Sequence, residues 1–289
     1  MKNKFGILQG RLTKAPSGRL QFFPNDWSKE FPIAKNIGFD YIELFSERTK
    51  NPKNPIWSLK QTKLLKKKYK DSNLIFYSFI DDYLIKSNIN SKLIKYYYFL
   101  INKLKVLNIK IFILPFYGKN KIKNQNLKKI SNFLNIINSK CKKNKIKLSI
   151  ESNIDPDLFF KLRKNLKDKI YLTFDTGNRS VLKRDMYDDL RIFNKSIIHV
   201  HIKDKNNFEK NVLLGKGMVN FLKLFKELNN IDYKGGLTLE TNRLNRPVFY
   251  AKKNLNFIKK FINFFLFKIF FVLLKSSKLS ISELNSFIM

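Results

Sequence analysis

A single (β/α)₈ barrel is the fold this sequence predicts, and three observations carry the prediction. Short apolar, β-branched runs alternate with longer amphipathic stretches from one end of the chain to the other, the order that builds a parallel sheet with helices laid over it. The length of 289 residues accommodates one such barrel, which takes about 250, and no Gly/Pro/Ser-rich linker divides it. Four consecutive late strands also end in Glu, Asp, His and Glu. Alternation alone suits an open doubly wound sheet equally well; the strand ends favour the closed form.

The elements follow in order. Residues 4–9 read as the first strand and 26–37 as the first helix; 41–44 and 58–70 are the second pair. Residues 74–79 form the third strand, followed by a helix over 91–107 with apolar side chains at three- and four-residue spacing. Strand four spans 110–115 and its polar helix 125–143. Strand five, 147–151, precedes a short helix opened by Asp155 and Pro156, a cap and first-turn pair. Residues 170–175, 197–202 and 236–240 supply the last strands, with helices over 186–193, 219–229 and 248–265. The barrel domain is placed at residues 1–260, and an apolar helix and tail at 261–289.

Lys and Arg total 58 against 22 Asp and Glu, a formal net charge of +36. A basic surface attracts polyanions. Here, however, lysine is spread along the whole chain together with abundant Asn, Ile and Phe, and Arg is sparse. Bases are read by placed Arg, Asn and Gln side chains, so no specific nucleic-acid partner is expected; attraction of anionic substrates fits better. A single cysteine, Cys141, excludes an internal disulfide and a Cys-rich zinc site, and in its lysine-rich helix it reads as an inert thiol. The first ten residues are strand-like and lack a signal-peptide pattern, so a cytoplasmic location is expected.

Barrel chemistry collects at the C-terminal ends of the strands. Strand five stops at Glu151, strand six at Asp175, strand seven places His199, His201 and Lys203 on one side, and strand eight stops at Glu240. Any one of these carboxylates alone suits a helix cap or a solvated loop, and His199 alone suits a hydrogen-bonded barrel residue. Neighbouring parallel strands lie about 4.8 Å apart, so the four polar ends converge on one ion. Three carboxylates and an imidazole suit Mn²⁺, Mg²⁺ or Co²⁺, with Zn²⁺ less favoured.

At these residues the chain resembles the xylose isomerase-like TIM barrel superfamily of sugar (phosphate) isomerases and epimerases. The resemblance rests on Glu151-Ser-Asn, Phe174-Asp175-Thr-Gly-Asn178, His199-Val-His201-Ile-Lys203-Asp204, Leu214-Gly215-Lys-Gly217 and Gly235-Gly-Leu-Thr-Leu-Glu240. It continues in Gly6-Ile-Leu-Gln9-Gly10-Arg11-Leu12, Gln21-Phe-Phe-Pro24, Phe39-Asp-Tyr-Ile-Glu43, Ser78-Phe-Ile-Asp81-Asp82-Tyr83 and Leu114-Pro115-Phe116, and so covers residues 4–260. The resemblance implies one divalent metal ion, Mn²⁺ favoured, held by Glu151, Asp175, His201 and Glu240. It also implies that Glu151 and Glu240 act as acid and base on a sugar or sugar phosphate through an enediolate. The chemistry is consistent: a divalent ion polarises a carbonyl while a carboxylate within reach takes the neighbouring proton. Asn178 departs from relatives that carry His there.

Further substrate-binding candidates are Lys203, Asp204, Asn178, His199, Arg243, Arg11 and Glu43. Lys203 either touches a substrate phosphate or hydroxyl, with Asp204 orienting it, or forms a salt bridge closing the strand end. Arg11 and Glu43 either bind sugar hydroxyls or pair with each other. Apurinic endonucleases share the barrel but need three zinc ions and many histidines, and this chain has two histidines. A single-metal dehydratase or hydrolase and a non-catalytic sugar-binding member stand as alternatives; the complete Glu, Asp, His, Glu set argues against the latter. Residues 261–274 are nearly all apolar, too short for a bilayer core that needs about 20 residues. They either lie peripherally on a membrane or pack against the barrel or a second subunit of a homodimer.

Overall fold

Every strand alternates an outward and an inward position, and the two sets of side chains build two different layers. The computed structural model describes residues 3–14 and 21–261. Its strands in chain order are β1 (Lys4–Leu8), β2 (Tyr41–Ser46), β3 (Ser78–Asp81), β4 (Ile111–Pro115), β5 (Lys147–Glu151), β6 (Tyr171–Asp175) and β7 (Ile197–Ile202), then a small antiparallel hairpin of β8 (Asp204–Lys205) and β9 (Asn211–Val212), and finally β10 (Gly236–Leu239). All but the hairpin close a parallel barrel in the ring order β1, β10, β7, β6, β5, β4, β3, β2. Helices α1 (Glu30–Ile37), α2 (Leu59–Asp71), α3 (Ser91–Val106), α4 (Leu127–Lys143), α5 (Pro156–Lys164), α6 (Thr176–Ser180), α7 (Met186–Phe193) and α8 (Phe221–Asn230) connect the strands, and residues 247–261 are helical.

Local chemistry sets the helix ends. Asn90, Asp155 and Asn220 each accept a hydrogen bond from a backbone N–H in the first turn of the helix they precede. Gly38 ends α1 at φ 99°, a left-handed stop that a side chain would strain. Outward positions such as Leu44, Phe112, Leu148, Leu172, Val200 and Leu237 join the main core between sheet and helices. Each such side chain contributes about 1.5–3 kcal/mol when fully buried. The inward face is divided. Leu8, Phe45, Ile80, Ile111 and Ile113 form a separate apolar cluster on β1 to β4. The inward positions of β5, β6, β7 and β10 carry Ser149, Thr173, His199, His201 and Thr238, all buried.

The third strand departs from expectation. Residues 74–77 are irregular and β3 runs instead to Asp81, with Leu44 opposite Phe79 and Ser46 opposite Asp81. The second strand, longer than expected, carries its neighbour two residues nearer the mouth. The final helix is described to residue 261, and the expectations for residues 262–289, including membrane or subunit contact, lie outside the described residues. Among the described residues no helix is long and apolar enough to cross a membrane.

Candidate active site

Because β5, β6, β7 and β10 are successive neighbours in the ring, their four polar ends meet. Glu151 closes β5, Asp175 closes β6, His201 points inward from β7 and Glu240 follows β10. All four are buried, and one ligand atom from each lies within 4.8 Å of the others. Donors bonded to one ion at about 2.2 Å stand at most about 4.4 Å apart, so a contraction of tenths of an ångström suffices. The orphaned atom in this group is Nδ1 of His201, buried and without a hydrogen bond. It lies 3.3 Å from Glu151 Oε2 and 3.4 Å from Glu240 Oε2. Burial depresses the imidazole pKa, but Glu43 and Glu151 outweigh burial and hold it well above its usual value. A position that draws a cation so strongly fits a divalent ion.

The other nitrogen of His201 is engaged. Its Nε2 lies 2.8 Å from Glu43 Oε1, and His199 Nε2 lies 2.7 Å from Glu43 Oε2. Ser78 Oγ donates to the same carboxylate at 2.6 Å. In the neutral ring, with Nε2–H given to Glu43, the lone pair of His201 is left on Nδ1, facing the acids. Burial raises the Glu43 pKa, but the two histidines reverse this and leave it well below the usual carboxylate range. The expectation that Glu43 faces the mouth beside a hydroxyl or Arg11 is therefore corrected. β2 continues to Ser46, which places Phe45 above Glu43 and puts the carboxylate one layer beneath the ligands. His199 is corrected likewise: two residues before His201, it sits deeper, fully buried, with Nε2 also 2.9 Å from Thr238 Oγ1. Glu43, His199 and His201 form a compact buried group of their own, and their short contacts are those of charge-assisted hydrogen bonds.

Above the ligands opens a cavity of about 350 Å³, lined by Glu151, Glu240, Lys203, Asn178, Tyr117 and Asp82 among others. Small-molecule sites occupy about 300–1,000 Å³. A larger cavity, about 540 Å³, lies at the opposite end of the barrel, edged by Lys110, Lys145, Lys147, Lys195 and Lys234 with Asp232 as its one acid. The smaller cavity is the candidate site, because the acids and the imidazole converge there. A family model described as a xylose isomerase-like TIM barrel matches residues 31–261. The chain belongs to this family. It is also similar to the uncharacterised protein MJ1311 of Methanocaldococcus jannaschii, 26% identical over 113 residues that span 38% of this chain and 37% of that protein. Among solved structures it resembles an L-ribulose 3-epimerase, with a TM-score of 0.75 and 17% identity over 94% of this chain and 98% of the other. It resembles a D-psicose 3-epimerase from Clostridium cellulolyticum H10, solved with D-tagatose, at a TM-score of 0.70 and 13% identity over 89% and 98% of the two chains. At such identities the likeness to the two solved structures is one of fold.

Within this family barrel the remaining candidates take distinct places. Lys203 spans two ligands, with Nζ 2.8 Å from Asp175 Oδ2 and 3.0 Å from Glu240 Oε1. Burial opposes its charge, but Asp175, Glu240 and Glu151 raise its pKa above the usual lysine value. Asn178 donates through Nδ2 to Asp175 Oδ2 at 2.9 Å and lines the cavity. Asp204, expected to orient Lys203, is corrected. Its carboxylate accepts from the backbone N–H groups of Gly215, Gly217 and Val219, and a Cβ on Gly217 would fall 2.3 Å from Asp204 Oδ1. The Gly-x-Gly turn thus exists to wrap Asp204. Arg11 binds Gln21 Oε1 at 2.8 Å and lies 3.8 Å from Glu240 rather than beside Glu43. Arg243, after β10, donates to the Gly10 carbonyl at 2.6 Å and stacks over Phe22, so both arginines are buried against the loop after β1 and neither lines the cavity.

Several residues with no expected role also contact the ligands or line the cavity, Gln21, Tyr117 and Asp82 among them. Gln21 Nε2 donates to Glu240 Oε1 at 2.6 Å, and Tyr117 OH donates to Glu151 Oε1 at 3.1 Å. Asp82 lines the cavity after β3; burial, then the charges of Glu151 and Glu240, push its carboxyl up to about 8. Gln21 and Asp82 lie within matched motifs, and that was the only signal they gave.

Proposed function

We propose that this protein is a divalent-metal-dependent isomerase or epimerase of a sugar or sugar phosphate. The single observation carrying the reading is the orphaned Nδ1 of His201 enclosed by the carboxylates of Glu151, Asp175 and Glu240. Those four residues would hold the ion, with manganese favoured and magnesium, cobalt or zinc acceptable to the same donors. When bound, the ion supplies Lewis-acid polarisation of a substrate carbonyl.

The protein groups do the rest. Glu151 and Glu240 rise from strands separated by β6 and β7 and both line the cavity, so they flank a sugar from two sides. One removes the proton beside the carbonyl, and the other returns a proton at the opposite face. Glu240 Oε1 is held by Gln21 and Lys203, an amide and a cation, and Glu151 Oε1 by the hydroxyl of Tyr117. The buried set beneath them keeps His201 in one tautomer.

The test is metal analysis of wild type and His201→Ala, joined to deuterium uptake from heavy water into L-ribulose, D-psicose and D-tagatose. Expected are about one equivalent of metal per wild-type chain, exchange beside the carbonyl, and loss of both in the variant, by about a thousandfold for exchange. Wild-type protein that takes up none of the four ions overturns the reading.

A further inference from the structure

The ring order sets β3 across the barrel from β7, with three strands intervening on either side. Asp82 follows β3 and therefore stands over the mouth opposite His201. It is 5% exposed, lines the cavity that Glu151 and Glu240 also line, and accepts no hydrogen bond from a described residue. Its nearest charge is the half-exposed Arg48, whose Nε is 3.9 Å from Oδ2, too long for a hydrogen bond. The adjacent Asp81 makes the contrast. Its carboxylate accepts from Ser46 Oγ at 2.6 Å and Tyr96 OH at 3.0 Å. Both Asp81 donors meet Oδ1 and its Oδ2 is buried without a partner, whereas Asp82 has no protein donor on either oxygen and lines the cavity.

The Asp82 carboxyl thus offers the cavity a hydrogen-bonding group that no protein donor engages. We propose that Asp82 orients the sugar, receiving hydroxyl groups of the chain on the side away from the metal ligands and so fixing which carbon meets Glu151 and Glu240. The part of the substrate held there is a hydroxyl-bearing polyol segment, whose groups both donate and accept hydrogen bonds. This inference rests on the function proposed above.

The experiment uses the full-length protein loaded with Mn²⁺. Binding of L-ribulose, D-psicose and D-tagatose is measured by calorimetry for wild type, Asp82→Asn and Asp82→Ala, beside Mn²⁺ affinity and unfolding temperature. Expected is at least about tenfold weaker sugar binding in Asp82→Ala and a smaller loss in Asp82→Asn, with Mn²⁺ affinity within about twofold and both variants folded. Equal sugar binding by wild type and both variants overturns the role of Asp82 and leaves the proposed function standing. Loss of Mn²⁺ together with sugar also overturns it, by assigning Asp82 to the integrity of the ligand set. Wild-type protein that holds Mn²⁺ but binds none of the three sugars removes the function reading and this inference with it.

Discussion

The two halves of the barrel interior are built to opposite plans. Along β1 to β4 the inward side chains are Leu8, Phe45, Ile80, Ile111 and Ile113, an apolar cluster of its own. Along β5, β6, β7 and β10 they are Ser149, Glu151, Thr173, Asp175, His199, His201, Thr238 and, just beyond the last strand, Glu240. Glu43, Ser78 and Tyr41 are exceptions that join them: Glu43 reaches from β2 to the two histidines of β7, Ser78 donates to Glu43, and Tyr41 bonds Thr238. The apolar half contributes through area removed from water, which is tolerant of direction. The polar half depends on partners, since a buried polar group left unpaired is destabilising. The difference teaches that stability and chemistry in this barrel are assigned to different arcs of one wall.

Three variants test that division. Ile113→Ala should have the largest effect, lowering unfolding free energy by about 2–5 kcal/mol through lost burial and the cavity left behind. Denaturant titration measures it, and metal affinity measured in parallel should stay within about twofold. If metal binding falls with stability, the arcs are not independent. Glu43→Gln comes next. It removes the carboxylate that fixes the tautomer of His201 and should weaken metal binding by about 10–100-fold; a competitive metal titration that finds affinity unaltered would show that His201 needs no such support. The smallest effect belongs to the lysine-edged cavity at the other end. Lys110→Gln combined with Lys147→Gln should shift stability by no more than about 0.5 kcal/mol and leave sugar turnover unchanged; a clear loss of turnover would give that cavity a part in function.

Much of this was legible in the sequence, and the exceptions have physical causes. Glu151, Asp175 and Glu240 announced themselves because each stands at the end of an apolar run, and His201 because period-two alternation in Ile197–Ile202 points it inward. Glu43 was misjudged because strand length decides whether an inward residue faces solvent or its own barrel, and β2 proved two residues longer than the apolar pattern suggested. Asp82 lacked a role for the linked reason that β3 is displaced toward the mouth. Asp204 looked like a substrate contact beside Lys203, but the period of two that aims Lys203 inward sends its neighbour elsewhere, into the turn at Gly215 and Gly217. Arg11 and Gln21 are placed by a loop whose course no periodicity encodes.

The glycines at Gly6 and Gly236 have a consequence for the two cavities. A Cβ at Gly6 would fall 2.1 Å from the Tyr41 ring, and one at Gly236 would meet Tyr41 and Tyr77 at 2.5 and 2.4 Å. Their bareness lets the two rings lie together inside the barrel, centroids 4.7 Å apart, with Tyr41 hydrogen-bonded to Thr238. These tyrosines form a floor between the acid-lined cup and the lysine-edged hollow below. The cup and the hollow share no lining residue, so a substitution in the wall of one leaves the wall of the other untouched.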